Sequence, residues 1–198
     1  MTSAATPKGL RRRARLIAAA GDLLMEGGFD AVRHRAVADR AQLPLASTTY
    51  YFESLEDLVV EAVTHVSHHD EDAIRDRATH LARRRRGCEA SAEALADVFV
   101  GSDEDRDLLV TRCETVVLAQ RFPRLRPLLA NRGKLIGELH HEVLGKSHRS
   151  PTPGGVAHLM AVEEGAVVRA LSDCVDDVHA LTYEALCHVV ETLAPSDR

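Results

Sequence analysis

Hydroxyl and aromatic side chains are concentrated between Ser47 and Phe52, where the sequence reads STTYYF. Three of the seven aromatic residues stand together here, in a chain of 198 residues without tryptophan. Short hydroxyls can reach base edges or phosphates, and tyrosine hydroxyls can reach phosphates while their rings pack against the scaffold. Because a hydrophobic core would distribute its aromatic residues along the chain, this concentration indicates an exposed contact surface.

Imidazole and carboxylate side chains point to a second kind of chemistry, metal binding. His65, His68 and His69 fall on one helix face, and Asp70 and Asp72 follow closely. They lack an HExxH frame and a fourth ligand in register, so we favour a solvated helix face and expect neither a metal nor another cofactor. The alternative is an α-helical metal-dependent or small-molecule enzyme that uses the His-rich segments. No paired nucleophile and base stands at a recognisable spacing, so we expect no catalytic residues and no enzyme.

Composition indicates a globular protein, since 45% of the residues are hydrophobic and 28% are charged. No run approaches the ~20 apolar residues of a membrane span. The basic N-terminal stretch has no apolar signal core behind it, and the four cysteines form no CxxC pair. We therefore expect a cytoplasmic protein with reduced thiols and no membrane partner.

Charge is divided unevenly along the chain. The first 52 residues hold eight Lys or Arg against four Asp or Glu, a net charge of +4. Since the whole chain carries −5, the remainder carries −9. A basic N-terminal quarter on an acidic remainder is typical of a protein that meets a polyanion at one end.

Helical periodicity dominates the sequence and predicts an all-α fold without strands. A first helix is predicted from Lys8 to Glu26, where Gly27 and Gly28 end it. Two short helices, His34 to Gln42 and Leu45 to Tyr51, are joined by a tight turn, which is the helix-turn-helix pattern. Ser54 is a good N-cap for a fourth helix.

Later helical patterns bring the total to about nine helices. The charged stretch that ends at Gly87 fits one long helix or two. The last two predicted helices carry large apolar faces, and we expect them to form a four-helix bundle between two subunits. The later predicted helices are Glu89 to Val100, Asp103 to Arg121, Arg124 to Gly145, Val156 to Cys174 and Asp177 to Leu193.

Residues 10–63 carry an ungapped series of motifs. They are an aromatic plug, a Val-Ala pair, a turn, a Ser/Thr/Tyr helix and a capped fourth helix: Phe29, Val37-Ala38, Ala41-Gln42-Leu43, Ala46 to Phe52 and Ser54 to Leu58. In order and spacing this series resembles the tetracycline-repressor (TetR/AcrR) family of bacterial transcription regulators. The chain departs from the family where Gln42 and Ala46 replace glycines, Thr49 replaces a phosphate-binding Tyr and Leu55 replaces a common Lys.

The resemblance implies a three-helix helix-turn-helix DNA-binding domain over residues 1–53, followed by a helical ligand-binding and dimerisation domain over residues 54–198. It implies a homodimeric regulator, which we expect to be a repressor that a small-molecule effector releases from a palindromic operator in double-stranded DNA. Because the chain has few aromatic residues, we expect an apolar or amphipathic effector. The sequence leaves open an activator or a regulator without a ligand.

Helical geometry and the resemblance together assign the DNA contacts. Ser47, Thr48 and Tyr50 are expected to face base edges, and Thr49, Tyr51 and the N-terminal arginines to hold phosphates. Leu45 and Phe52 are expected to turn inward with Leu43. The whole predicted set is Arg11, Arg33, Arg35, Leu45, Ser47, Thr48, Thr49, Tyr50 and Tyr51.

The resemblance also implies an effector pocket among the fifth to eighth helices. Glu163 and Glu164 interrupt an apolar run, and of the adjacent His140 and His141 at most one faces a pocket. For the carboxylates an Arg-Glu pair within or between subunits is the alternative. The residues expected to line the pocket are Phe99, Cys113, Val117, Phe122, His141, Met160 and Glu164.

Overall fold

The computed structural model describes residues 6–101 and 106–197. These residues form ten α-helices and no strand, apart from an isolated bridge between Arg149 and Ser196. Within the same residues no helix is both long enough and apolar enough to cross a membrane. The all-α prediction is confirmed. The helices are α1 Pro7–Ala31, α2 His34–Arg40, α3 Leu45–Tyr51, α4 Leu55–His80, α5 Cys88–Phe99, α6 Arg106–Arg121, α7 Arg126–Lys146, α8 Gly155–Ser172, α9 Val178–Cys187 and α10 Val190–Leu193, with a 3-10 turn at Pro123–Leu125.

Helix α1 begins and breaks where its sequence predicts. The Thr6 hydroxyl accepts a hydrogen bond from the Gly9 amide at 3.2 Å and so caps the first turn. The helical geometry is interrupted at Gly27 and Gly28. Gly28 has a φ of +67°, and a Cβ there would lie 2.8 Å from an oxygen of Glu114. The backbone conformation therefore favours glycine at this position, whereas the flexible Glu114 side chain could move aside for a Cβ.

The turn between α2 and α3 explains why α2 ends at Arg40 and not at the predicted Gln42. Gln42 adopts a left-handed conformation with a φ of +52°, which a helix cannot continue. The amide of Leu43 then donates to the carbonyl of Ala38 at 3.0 Å and closes the turn. Helix α3 has the predicted bounds.

Helix α4 begins as predicted, because the Ser54 hydroxyl accepts a hydrogen bond from the Asp57 amide at 3.1 Å. The charged stretch beyond it, which the sequence left undecided, is helical to His80 and then non-helical from 81 to 87. The amides of Arg84 and Arg86 in that segment donate to the carbonyls of Lys146 and Ser147, at 2.9 and 3.2 Å.

The C-terminal helices pack around one apolar cluster. Its fully buried members include Leu95 of α5, Leu144 of α7, Leu159 of α8 and Leu186 of α9. The last predicted helix is interrupted at residues 188 and 189, so it forms the separate helices α9 and α10. The described residues therefore hold ten helices where about nine were predicted. Residues 102–105, which include the predicted start of α6, lie outside the description.

The described chain divides into two compact units. One unit contains the residues up to His69 together with Thr111–Leu128, and the other contains Asp70–Val110 and Leu129–Arg198. The first unit holds the three predicted DNA-binding helices, and the second holds the apolar cluster just described. Residues 111–128, which comprise most of α6, the 3-10 turn and the first three residues of α7, pack with the N-terminal helices.

Candidate nucleic-acid interface and buried polar cluster

One side of α3 is open to solvent. The residues on that side agree only in part with the base contacts predicted from the sequence. Tyr50 is 81% exposed and Leu45 is 49% exposed, and Ala46 and Thr49 are exposed beside them. Ser47 and Tyr51 are half-buried. The outward face of the helix is therefore formed by two consecutive pairs of residues, 45–46 and 49–50, one turn apart.

Thr48 corrects the predicted set of base contacts. Its side chain is fully buried, and its hydroxyl donates to the Leu45 carbonyl at 2.8 Å. A buried hydroxyl cannot reach a base edge, so the assignment of Thr48 as a reader is wrong. The expectation that Leu45 turns inward is also wrong, because this first residue of α3 extends past the core that buries Thr48 and Phe52.

Two tyrosines occupy different environments on this helix. The rings of Tyr50 and Tyr51 meet edge to face with centroids 4.9 Å apart. The Tyr51 hydroxyl lies beside Gly9, 3.4 Å from the position a Cβ would take there. Tyr51 thus bridges the end of α3 to the first turn of α1, whereas Tyr50 extends into solvent.

The predicted arginines differ in how far their charge is already neutralised. Arg11 and Arg35 are exposed, and neither forms an ion pair with any described residue. Arg33 is paired with Asp30 at 2.8 Å and also donates to backbone carbonyls. The positive charges open to a polyanion are therefore carried by α1 and α2.

Two further arginines of these helices are held by carboxylates. Arg40 forms two hydrogen bonds with Glu26, at 2.6 and 2.8 Å, and they lower the pKa of that carboxyl. Arg13 lies 2.5 Å from Glu61. These pairs fix α1 against α2 and α4 and leave little free charge for a duplex.

Three contacts join the N-terminal helices to α6 and to the turn after it, all within the first unit. The rings of Phe29 and Phe122 stand 5.4 Å apart, and Glu114 lies over Gly28. Arg124 forms an ion pair with Asp57 and holds the pKa of that carboxyl below its ordinary value. Phe122 was expected in an effector pocket, and here it packs on the aromatic plug.

The other expected pocket residues are dispersed. Phe99 is buried and Met160 is half-buried, and both belong to the second unit, whereas Cys113 is half-buried in the first. Val117 is 58% exposed. His141 and Glu164 are exposed, and their place in an effector pocket stays a prediction. A helical residue points about 100° away from its neighbour, so the buried residues are the adjacent His140 and Glu163.

These two buried residues form a polar cluster inside the second unit. His140 is fully buried, Glu163 is 6% exposed, and His140 Nε2 lies 2.9 Å from Glu163 Oε2. The other imidazole nitrogen of His140 lies 2.8 Å from the Ile136 carbonyl oxygen. The ring of Phe99 stacks on the imidazole at 3.8 Å, with 11° between the planes. The cluster therefore joins α5, α7 and α8.

Burial and charge act on His140 in opposite directions. Burial by itself lowers the pKa of His140, but the charge and hydrogen bond of Glu163, with the Ile136 carbonyl, outweigh it and leave the pKa raised. Glu163 therefore favours the protonated form of the His140 imidazole. The sequence held the signal, because position 163 falls in the buried period that includes Leu159 and Ala166.

Among the described residues, the histidines considered for metal binding do not form a ligand cluster. His65, His68 and His69 are exposed on α4, and the carboxylate of Asp70 is paired with Arg132 at 2.8 Å. In the part of the chain that the structure describes, the group with metal-binding geometry lies elsewhere, at Glu93, Asp97 and His179.

Negative charge collects where α5 meets α9. Tyr183 of α9 has a pKa raised to about 12, first by its hydrogen bond with Cys187 and then by partial burial. The charges of Cys187, Glu89 and Glu93 raise the pKa further. The carboxylates of α5 therefore act on this edge of α9.

Residues 86–192 match a family model described as the tetracyclin repressor-like, C-terminal domain. The matched segment is more than half of the 198-residue chain. No curated protein matches the chain.

Solved structures give a consistent result over nearly the whole chain. SCO7518 of Streptomyces coelicolor A3(2), described as a proposed transcriptional regulator, is 30% identical over 92% of this chain and 99% of its own, with a TM-score of 0.63. The multidrug binding protein EbrR in complex with proflavin is 26% identical over 89% and 98%, with a TM-score of 0.68. A TetR transcription regulator from Haloarcula marismortui ATCC 43049 is 16% identical over 93% and 99%, with a TM-score of 0.74, and shares the fold.

Proposed function

The chain belongs to the TetR family of transcriptional regulators, and from that premise we propose that it is a non-enzymatic repressor, which a small-molecule effector releases from a palindromic operator. The observation that carries DNA binding is the open face of α3, together with the exposed arginines of α1 and α2 that form no ion pair with a described residue. An exposed phenol and an exposed hydroxyl on a short helix, with free positive charge on the same unit, suit a major groove lined by phosphates.

The structure alters which residues we assign to the duplex. Ala46, Thr49 and Tyr50 take the base edges, with Leu45 against a groove wall, since these side chains face outward. Phosphates are assigned to Ser47, Tyr51, Arg11, Arg33 and Arg35. Arg33 contributes least among the arginines, because Asp30 already holds it.

A dimer is required to place two such helices on one operator, about 34 to 36 Å apart in successive major grooves. Helices α8 and α9 are the proposed contact, as an intersubunit four-helix bundle. Val168 is 54% exposed on α8, and among the described residues no atom lies within 4 Å of the Cβ position of Gly165. An open face of small residues lets a second helix approach closely.

The second unit is the proposed site of effector binding. Its buried His140–Glu163 pair supplies a polar anchor between α7 and α8, which suits an amphipathic molecule with a donor group. The relative EbrR has been solved with proflavin, with ethidium and with imidazole. Flat cations are therefore reasonable probes for this chain.

Release requires that the effector bind the DNA-incompetent state more tightly. The contacts of Phe122 with Phe29 and of Arg124 with Asp57 offer a route, because they fasten the end of α6 to helices of the DNA-binding unit. A shift of α6 would then change the separation of the two α3 helices in a dimer.

Selection of bound genomic fragments, followed by fluorescence anisotropy, tests the proposal. Wild type should prefer the selected operator over a scrambled duplex, and Arg35→Gln should reduce the dependence of log K on log salt by about one unit. Arg40→Gln is the matched control, since Glu26 already neutralises Arg40. Equal binding of both duplexes, or an effect of Arg40→Gln as large as that of Arg35→Gln, would contradict it.

A further inference from the structure

Three potential metal ligands meet at the contact between α5 and α9. Glu93 and Asp97 lie one turn apart on α5, and His179 lies in the first turn of α9. His179 Nε2 is 2.9 Å from Asp97 Oδ1. One ligand atom from each of the three residues lies within 4.8 Å of the other two. Neither DNA binding nor the His140–Glu163 cluster makes use of these groups.

The distances are close to those of a bound ion. Zinc takes nitrogen and oxygen ligands at about 2.1 Å in a tetrahedron, so two of its ligand atoms stand about 3.4 Å apart. His179 Nε2 and Asp97 Oδ1 stand 2.9 Å apart, slightly closer than two ligand atoms of one zinc ion, because they share a hydrogen bond. Glu93 is exposed, and its ligand atom lies no more than 4.8 Å from those of Asp97 and His179.

The charge of the group also suits a divalent cation. Two carboxylates and a neutral imidazole sum to −2. In the described parts of the chain neither Glu93 nor Asp97 is paired with a lysine or arginine, and Asp97 bonds only to His179. Imidazole with carboxylate oxygens and no thiolate suits first-row divalent ions such as Zn²⁺ and Mn²⁺.

We propose that Glu93, Asp97 and His179 bind one divalent transition-metal cation, which fastens α9 to α5, with water completing the coordination. His179 is the ligand that decides the site, because it is the contribution of the second helix. The ion would act structurally, since α9 also supplies Leu186 to the apolar core.

Calorimetric titration of Zn²⁺ into the full chain, after removal of metal with EDTA, tests the site. Other histidines and cysteines bind zinc in any protein of this composition, so the comparison is between variants. Wild type should bind one equivalent more than His179→Gln or Glu93→Gln, or bind that equivalent at least about tenfold more tightly. His188→Gln and Glu184→Gln are matched controls on exposed positions near the same helix and should behave as wild type.

Thermal unfolding gives a second readout that does not depend on stoichiometry. Zn²⁺ should raise the unfolding temperature of wild type and of both controls, because a ligand that binds only the folded state stabilises it. The increase should be lost in Glu93→Gln, whose exposed position keeps the metal-free fold intact. The proposal is overturned if wild type takes up no zinc. It is also overturned if the double variant Asp97→Asn/His179→Gln binds zinc as tightly as wild type and shows the same increase in unfolding temperature. In either case His179 and Asp97 form a simple hydrogen-bonded pair.

Discussion

At the scale of single residues, the His140–Glu163 pair makes folding depend on pH. The folded-state pKa of His140 is raised, so its contribution is complete below the ordinary histidine pKa and is lost as the pH rises through the folded-state value. The free energy of unfolding should therefore fall as the pH increases from about 6.5. Glu163 and, more weakly, Glu164 are the charged groups that raise this pKa.

Urea unfolding at a series of pH values measures this effect. Glu163→Gln should remove most of the decline above the histidine range, because the imidazolium loses its counter-charge. The exposed neighbour makes a matched control, and His141→Gln should keep the wild-type profile. A decline of equal size in Glu163→Gln would assign the pH dependence to other groups.

Substitutions of Tyr50 and Thr48 should have different effects, the first on operator binding and the second on the free energy of unfolding. Tyr50→Ala removes an exposed side chain and is expected to weaken operator binding by about 1 to 3 kcal/mol, with little change in unfolding. Thr48→Ala removes a buried methyl and a hydroxyl bonded to Leu45, and should lower the free energy of unfolding by about 1 to 2 kcal/mol. Anisotropy on the operator and urea unfolding of each variant give the two numbers. A stable Thr48→Ala protein with relaxed sequence preference would restore Thr48 as a reader.

His140 and Glu163 show how far the burial of single side chains could be predicted from the sequence. Periodicity placed a histidine and a glutamate of adjacent pairs near the interior, but it selected His141 and Glu164 where the structure buries His140 and Glu163. Two neighbours differ by about 100° around a helix, and both choices fit an apolar face that contains polar residues. The buried period of Leu159 and Ala166 favours Glu163, whereas the choice of His140 over His141 depends on the packing of α5 against α7 and α8.

At the scale of elements, local signals placed starts and breaks better than ends. The Thr6 and Ser54 caps and the Gly27–Gly28 interruption act through one to three neighbouring residues, so they are readable from the chain. The end of α4 at His80 and the gap between α9 and α10 have no comparable signal. After α4 the chain turns so that the amides of Arg84 and Arg86 donate to the distant carbonyls of Lys146 and Ser147.

Arg149, which lies in the turn after α7, shows how contacts between distant parts of the chain stabilise the fold. The guanidinium of Arg149 is 1% exposed and donates to Ser91 Oγ at 2.7 Å, to the Ala194 carbonyl at 2.8 Å and to Glu191 at 2.8 Å. Arg149 thus ties α5 and the C-terminal segment to the turn after α7. In the sequence, the four consecutive arginines at 83–86 form only a run of positive charge and do not indicate which backbone or side-chain partners they bind.

Arg149→Met should lower the free energy of unfolding by about 2 to 4 kcal/mol, because a buried hydroxyl and a buried carbonyl each lose a hydrogen bond. Glu191 adds little, since it is 59% exposed and regains water. Arg85→Met is the matched control: Arg85 is exposed and bonds only one terminal carbonyl. Chemical unfolding monitored by circular dichroism compares the two. A loss as large in Arg85→Met would mean that removal of any arginine here is costly.

At the scale of the whole molecule, the apolar residues expected to drive dimerisation are already partly used. Leu159, Leu186 and Val190 are fully buried within a single chain, so deletion of the last helices would destroy the core as well as any interface. Truncation therefore cannot isolate the dimer. The sequence could not show this, because a helix face buried inside one subunit has the same period as one buried between two.

The open side of α8 offers a cleaner test of assembly. Gly165 is exposed and has no neighbour within 4 Å of its Cβ position, so Gly165→Glu should leave the single chain folded. In a two-fold bundle each copy of that residue meets the partner's α8 or α9 face, and a buried unpaired carboxylate there should separate the subunits. Sedimentation velocity should then show monomers, and operator affinity should fall by roughly 10²-fold or more, because two linked half-sites become independent. Gly133→Glu is the matched control on α7, where the Cβ position is equally open, and it should remain dimeric with full affinity. A dimeric Gly165→Glu protein with wild-type operator binding would move the interface away from α8.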